Sequence, residues 1–274
     1  MKLPDFYKNK VILITGSSMG IGKELANQAL KLGASVVITG RNLERLEKTQ
    51  NEFSLYKNKV MIYSGDIAEY RTNAILIEKI VDRFGSLDVV ITNAGLSCFG
   101  EVEIMEPNVA KQIIDTNIYG SLFPVMAALN QLKKSKGSVL FISSIAGFYG
   151  LPNYSAYSLS KMALKALAQS LAAELFESGV FVGIAYVGFT ENEEDKKTLS
   201  PHGAWQKVPK RNPAFTASRS ATTLKLLNQI KHKQFSKTHS FIGKATEFMT
   251  RFFPTFTLRI IRWNYMANHK ENIE

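Results

Sequence analysis

What most restricts the fold of this chain is an alternation running from Val11 to Tyr186: short β-rich, largely apolar runs, each followed by a longer helix-forming stretch. Val11-Ile12-Leu13-Ile14 opens the series between Lys10 and Gly16. A run without polar alternation has no solvent face, so it reads as a strand buried on both sides. Further runs occur at residues 35–39, 60–63, 87–92, 138–142 and 180–186. Helical stretches separate them at 22–32, from Leu43 onward, at 75–84, at 107–134 and at 157–178. Six strands alternating with helices predict one α/β domain built on a parallel, doubly wound sheet. A chain of 274 residues with 45% hydrophobic composition can fill the two cores that such a sheet needs.

The pattern breaks after Gly188. Residues 189–213 are polar, basic and proline-containing, with Phe189 and Trp205 among them, and a further helical run follows at 217–230. Residues 189–235 therefore read as a substrate lid over the sheet's C-terminal edge. Residues 241–274 read as a basic amphipathic extension, with Phe241, Ala245, Phe248, Met249 and Phe252 at helical spacing, interrupted by Pro254 and followed by Arg259 and Arg262. Such a helix can lie on a membrane, or it can pack against the domain or a second subunit.

The net charge of +11 is uneven: residues 1–190 hold 19 Lys and Arg against 16 Asp and Glu, and residues 191–274 hold 15 against 7. From Lys196 to Thr246 there are 11 basic residues and no acid. That surface suits phosphates, acidic substrates or anionic lipid, or is simply solvated. The single cysteine, Cys98, excludes an intrachain disulfide and reads as a structural thiol. His202, His232, His239 and His269 lack metal-ligand spacing and read as surface or lid residues, so no metal is expected. No leader-like stretch precedes Val11 and no uncharged run approaches the ~20 residues that cross a bilayer. A cytoplasmic setting is expected, with peripheral contact at the inner membrane face as an option and no nucleic-acid partner.

Gly16, Gly20 and Gly22 fall in the turn between the first strand and first helix. A backbone without Cβ atoms lets a pyrophosphate come close, and the helix N-terminus adds amide donors and a positive dipole. Tyr157 and Lys161 are four residues apart in helix-forming sequence, which puts phenol and ammonium on one helix face. A neighbouring cation favours the phenolate, so this phenol can exchange protons nearer neutrality than its ordinary pKa of about 10. Taken in order and spacing, Thr15-Gly16-Ser17-Ser18-Met19-Gly20-Ile21-Gly22, Asn93-Ala94-Gly95, Ser144 and Tyr157-x3-Lys161 resemble the short-chain dehydrogenase/reductase family over residues 8–188.

The resemblance implies a Rossmann fold and hydride transfer between a nicotinamide dinucleotide and a carbonyl or alcohol. It assigns cofactor contacts to Gly16, Ser18, Gly20, Ile21 and Gly22, to Asp66 and Ile67 after the third strand, and to Asn93, Ala94 and Gly95. Gly40 stands where NAD enzymes carry an acid, and Arg41 stands at the following, phosphate-binding place. A guanidinium pairs with a 2′-phosphate that a carboxylate would repel, so NADP(H) is the expected cofactor. By the same resemblance Tyr157 is the general acid–base and Lys161 holds the nicotinamide ribose and lowers the phenol's pKa. Ser144 bonds the carbonyl oxygen, with Ser143 as an alternative that the spacing disfavours. Asn117, 27 residues before Ser144, holds a water in the proton relay. Tyr186-Val187-Gly188-Phe189-Thr190 keeps the family's glycine and has valine where proline is expected; Gly188 and Thr190 are carried as cofactor contacts. The family's glycine-rich last strand is missing, which leaves the tetramer contact it often forms without its usual support.

These features point to an NADPH-dependent reductase of a lipophilic ketone: a 3-oxo sphingoid base, an oxo-acyl chain or a steroid. An oxidative hydroxysteroid or secondary-alcohol dehydrogenase, and a non-catalytic NADP-binding scaffold at a membrane, are the alternatives. A homodimer or higher homo-oligomer is expected on the apolar helices, with Ile113, Ile114, Leu164, Leu167 and Leu171.

Overall fold

A computed structural model describes residues 2–193, 196–209 and 212–270, with side chains to residue 267. Lys210 and Arg211 of the acid-free stretch, the end of the extension beyond Lys270 and the His269 side chain lie outside the described residues. In chain order the elements are α1 (Leu3–Tyr7), β1 (Val11–Ile14), α2 (Gly20–Lys31), β2 (Ser35–Gly40), α3 (Leu43–Glu52), β3 (Val60–Ser64) and α4 (Tyr70–Phe84). There follow β4 (Val89–Thr92), α5 (Pro107–Ile114), α6 (Gly120–Ser135), β5 (Ser138–Ser144), α7 (Ser155–Glu174) and β6 (Phe181–Val187). Beyond β6 come β7 (Lys197–Leu199), β8 (Trp205–Lys207), α8 (Arg219–Lys231), β9 (Ser236–Thr238), α9 (Phe241–Phe252) and α10 (Pro254–Lys270).

The six expected strands and a seventh, β9, form a parallel, doubly wound sheet in the order β3-β2-β1-β4-β5-β6-β9. Alternate residues of one strand enter opposite cores. Ile12 and Ile14 pack with Leu25, Leu30, Leu226 and Leu227 on one face. Val11 and Leu13 pack with Leu76, Ile80, Val125 and Leu164 on the other. Each such side chain withdrawn from water contributes roughly 1.5–3 kcal/mol, which fixes the strand positions and hence the loops at their ends. The strand order reverses between β1 and β4, so the crevice of a doubly wound sheet opens at their C-terminal ends.

The seventh strand, β9, is an addition to the expected six. It pairs parallel with β6, Ile184 opposite Ser236 and Tyr186 opposite Thr238. Ser-Lys-Thr carries no apolar signal; a buried glutamine docks it instead. Gln229 Nε2 donates to the carbonyls of Ile184 and Gln234, each at 2.9 Å, and Oε1 lies 2.8 Å from His239 Nε2.

Two further departures bear on the site. The helical region expected at 107–134 is α5 and α6 joined by a π-helical turn, Asp115–Tyr119, which contains Asn117. The polar segment after Gly188 contains an antiparallel pair, β7–β8, that bridges to Cys98 through Leu199. Ile113, Leu164 and Leu171 are buried within the protomer, whereas Met126 on α6 and Leu159 and Met162 on α7 are exposed. No helix among the described residues is long and apolar enough to cross a membrane.

Candidate active site

The glycine turn is shaped by its lack of side chains. Gly16 and Gly20 both have φ +60, a left-handed conformation that a Cβ would strain. A Cβ on Gly16 would stand 2.6 Å from Ala94 Cα, and one on Gly22 would stand 2.5 Å from the carbonyl oxygen of Gly16. The loop after β4 clamps this turn: Asn93 Nδ2 donates to the carbonyls of Thr15 (3.0 Å) and Gly16 (2.9 Å). Thr15 Oγ1 in turn accepts from the backbone amides of Asn93 and Ala94, both at 3.1 Å. Asn93 and Ala94 thus hold the anion-facing turn in shape.

Around the turn, Ser17 and Ser18 sort by burial. Ser17 Oγ donates to Ile14 O at 2.6 Å and accepts from Thr39 N at 3.0 Å, tying β1 to β2. Ser18 lies under Gly40, where a Cβ would come 3.2 Å from Ser18 Oγ. Arg41 is exposed at the end of β2. A second guanidinium, that of Arg45, reaches Met19 Sδ at 3.1 Å, a neighbour the sequence reading missed. Asp66 is exposed and its Oδ1 accepts from Ala68 N at 2.9 Å, while Ile67 is buried.

The four candidate catalytic residues divide into a buried pair and a half-buried pair. Asn117 is fully buried; its Oδ1 accepts from Leu96 N at 2.7 Å, and its Nδ2 donates to Leu96 O at 2.9 Å and Ser160 Oγ at 2.8 Å. Its own carbonyl accepts from Ser121 Oγ at 2.7 Å. Lys161 is buried, and its Nζ donates to Ile142 O at 2.9 Å. Burial pulls its pKa down to about 8, with the charge of Lys196 adding to the effect. Gly95 closes the gap between the two: a Cβ there would stand 3.3 Å from Asn117 Oδ1 and 3.4 Å from Lys161 Nζ.

Tyr157 is half-buried, with Lys161 Nζ 5.9 Å from its ring centroid. Ser160, which the sequence reading did not single out, joins the set: its Oγ donates to Tyr157 O at 2.7 Å while accepting from Asn117. Ser144 ends β5, and its Oγ accepts a long 3.3 Å bond from Ala146 N. Ser143 points to the other face and is committed to Lys161 O at 2.9 Å. The structure therefore links Asn117 through Ser160 to the Tyr157 backbone, sets Lys161 Nζ beside the Tyr157 ring, and places Ser144 at the adjacent strand end.

Gly188 has an unexpected neighbour. A Cβ there would stand 2.5 Å from Ser240 Oγ, so the glycine admits the N-cap of α9. Thr190 is buried, its Oγ1 donating to Gly188 O at 3.3 Å. Glu193 and Arg219, also missed, meet at the mouth of the glycine turn: Glu193 Oε1 accepts from Gly20 N at 2.8 Å and from Arg219 Nη1 at 2.7 Å. Their sequence separations from Gly20 gave no local signal. Cys98 is buried as expected, and burial pushes its thiol up. His239, expected at the surface or in the lid, is half-buried beside Gln229, and burial followed by nearby lysines holds its pKa down at about 4.

The cradle suits a dinucleotide: left-handed glycines, an approach that a Cβ would close, and a helix N-terminal amide that already holds an anionic oxygen. The short chain dehydrogenase family matches residues 10–202. Peroxisomal 2,4-dienoyl-CoA reductase of Saccharomyces cerevisiae is 32% identical over 201 residues, 72% of this chain and 69% of that protein. The 3-ketodihydrosphingosine reductase of Bos taurus is 33% identical over 181 residues, 64% of this chain and 54% of the relative, so the match spans about half of the bovine enzyme. Among solved structures, a short chain dehydrogenase from Burkholderia cenocepacia in complex with NADP superposes with a TM-score of 0.78 at 20% identity, covering 93% of this chain and 98% of that one. At that identity the likeness is one of fold.

Proposed function

Because the chain belongs to the short chain dehydrogenase family, we propose that it is an NADPH-dependent oxidoreductase that reduces a lipophilic ketone to a secondary alcohol. The observation that carries this reading is the network of Tyr157, Ser160, Asn117 and Lys161 beside the glycine cradle. When bound, the dinucleotide supplies the hydride. The protein's own residues manage the oxygen. Ser144 donates to the carbonyl oxygen as charge develops there, and Tyr157 delivers the proton that makes it a hydroxyl. The ammonium of Lys161 stabilises the resulting phenolate, and a water held at Asn117 refills the proton through Lys161. Ser160 and Asn117 hold the two helices that carry these groups in register.

Arg41 with Gly40 supports NADP(H) over NAD(H), and Arg45 beside Met19 adds a second positive group near the same phosphate. Exposed Phe241, Phe252, Phe256 and Trp263, interleaved with Arg251 and Arg259, support a lipid-borne substrate met at an anionic membrane. The names of the yeast and bovine relatives, which denote lipid-derived substrates, point the same way. Residues 189–235 are the lid of a single catalytic domain in this reading. Met126, Leu159 and Met162 supply exposed apolar surface for a homodimer. A screen of NADPH oxidation across ketosphingoid, oxo-acyl and steroid ketones tests the reading. Turnover of one class is expected, and absence of oxidation with all three overturns it.

A further inference from the structure

The oxygen that occupies the α2 N-terminus belongs to the chain itself. Met19, at the N-cap, provides no side-chain oxygen, so the Gly20 amide is met by Glu193 Oε1 at 2.8 Å. The same oxygen lies 2.7 Å from Arg219 Nη1, and the Arg219 backbone amide is held by Glu191 Oε2 at 3.2 Å. One anionic oxygen thus sits between a helix N-terminal amide and a guanidinium, an arrangement that suits a phosphate oxygen equally well. It also sits at the turn where Gly16, Gly20 and Gly22 leave room for a pyrophosphate.

We propose that Arg219 binds the pyrophosphate of the dinucleotide and that Glu193 is an internal stand-in, which leaves when the cofactor enters. A carboxylate and a phosphate cannot share the Gly20 amide, because two anions at hydrogen-bonding distance repel strongly and only one N–H is available there. Without any anion, the helix terminus and Arg219 would face each other as two positive groups. Glu193 removes that repulsion in the cofactor-free chain, and the pyrophosphate removes it in the loaded one. Cofactor entry therefore releases the Glu193 side chain, while Glu191 stays tied to Ala217 O through its amide and to the Arg219 amide through its carboxylate. This inference rests on the proposed function only in requiring that a nicotinamide dinucleotide binds the glycine turn. It is indifferent to the 2′-phosphate and to the substrate.

Equilibrium titrations of the full-length protein with NADPH and NADH, read by ligand fluorescence, test it. Adenosine 2′-phosphate, which lacks the pyrophosphate, serves as the control ligand. Glu193→Gln is expected to tighten both dinucleotides about tenfold, the ordinary weight of one charge-assisted bond. Arg219→Gln placed on the Glu193→Gln background is expected to weaken both about tenfold or more, with Arg219→Lys recovering part of the loss. Adenosine 2′-phosphate should respond to neither change at Arg219. If Arg219 merely holds the acidic segment in place, the double variant will bind as tightly as Glu193→Gln alone, and the proposal fails. Unchanged affinity in Glu193→Gln overturns the stand-in. Both side chains are partly exposed, 33% for Arg219 and 22% for Glu193, so the variants should fold; a cofactor-free melting curve checks this. Equal affinity for NADPH and NADH would remove the NADP preference and leave this inference standing, whereas failure of both to bind any variant would overturn both readings.

Discussion

Between β1 and β6, polar groups at the strand ends are spent on one another; after β6, they are spent on holding added segments to the sheet. Thr15, Asn93 and Gly16 form a closed set of bonds about the glycine turn, and Asn117, Ser160 and Tyr157 form another about Lys161. Beyond Val187 the bonds dock added elements: Gln229 pins β9, Ser240 caps α9 against Gly188, and Tyr265 Oη donates to Glu101 Oε1 at 2.5 Å from the far helix. The first region builds two cores and exposes only scattered apolar side chains such as Leu55 and Phe176, while α9 and α10 expose a run of aromatic rings, with Phe241 at 86% and Trp263 at 71%. The contrast separates a region built for fixed geometry from one built to present a surface.

The sharpest way to break that contrast is at Tyr157. Tyr157→Phe keeps the ring and removes the proton, so turnover should fall about 10²–10⁴-fold while dinucleotide affinity changes little. Near-normal turnover would mean that the ordered network does not carry the chemistry. At the rim of the same region, Arg41→Ala should cost about 1.5–3 kcal/mol of NADPH binding, or one to two decades, and leave NADH unchanged. Because Arg45 lies close by, a residual preference for NADPH in that variant should vanish when Arg45→Ala is added.

A smaller effect probes how the added strand is held. Gln229 Nε2 is occupied as a donor, so Gln229 Oε1 accepts from His239, which places the imidazole proton on Nε2 and leaves Nδ1 buried without a partner. Protonation would put a charge there, against burial and against Lys237, Lys225 and Lys244, and the pKa is accordingly held down at about 4. The ordinary value of about 6.5 is regained on unfolding. The unfolded chain therefore binds more protons between about pH 6.5 and 4, and stability falls as pH drops through that window. The loss should approach about 1.4 kcal/mol per pH unit, seen as a decline in melting temperature that His239→Gln largely abolishes. Equal declines in both proteins would place His239 in water.

How much of this was legible in the sequence follows the same division. Largely apolar runs exposed β1 to β6 because a strand buried on both faces has few polar residues to blur it. The glycines, Asn93, Tyr157 and Lys161 stood out because their order and spacing resemble the family's motifs, with Tyr157 and Lys161 one helical turn apart. Ser160 was invisible because a serine in a helix has no distinctive pattern, and its role depends on Asn117, 43 residues earlier. The π turn that presents Asn117 looked like plain helix for the same reason. Glu193 and Arg219 could not be paired with Gly20 from sequence, since only the folded chain brings them together. Three-residue strands such as β7, β8 and β9 are too short to show a period, and β9 in particular depends on Gln229 and His239 more than on its own residues.

The smallest effects should come from the outer face of α9 and α10, where single side chains share one surface. The aromatic rings provide apolar area, and Arg251, with its guanidinium 5.5 Å from the Phe252 ring centroid, shows how basic and aromatic groups interleave there. An anionic bilayer answers both: acyl boundary for the rings, headgroups for the cations. Each basic residue near such a surface contributes about 1 kcal/mol, an attraction that salt screens. Co-sedimentation with phosphatidylserine-containing vesicles should thus rise with anionic lipid and fall with salt. Arg259→Ala should weaken it about fivefold, whereas Phe256→Ser should weaken it at all salt concentrations, because apolar burial is not screened. A chain ending at Ser240 should lose binding altogether while its cofactor titration stays close to normal, since the glycine turn and the Asn117 network lie entirely before β7. Failure of the full-length protein to bind anionic vesicles at low salt would show that the exposed face meets protein instead, and the two regions would then differ in packing partner and no longer in purpose.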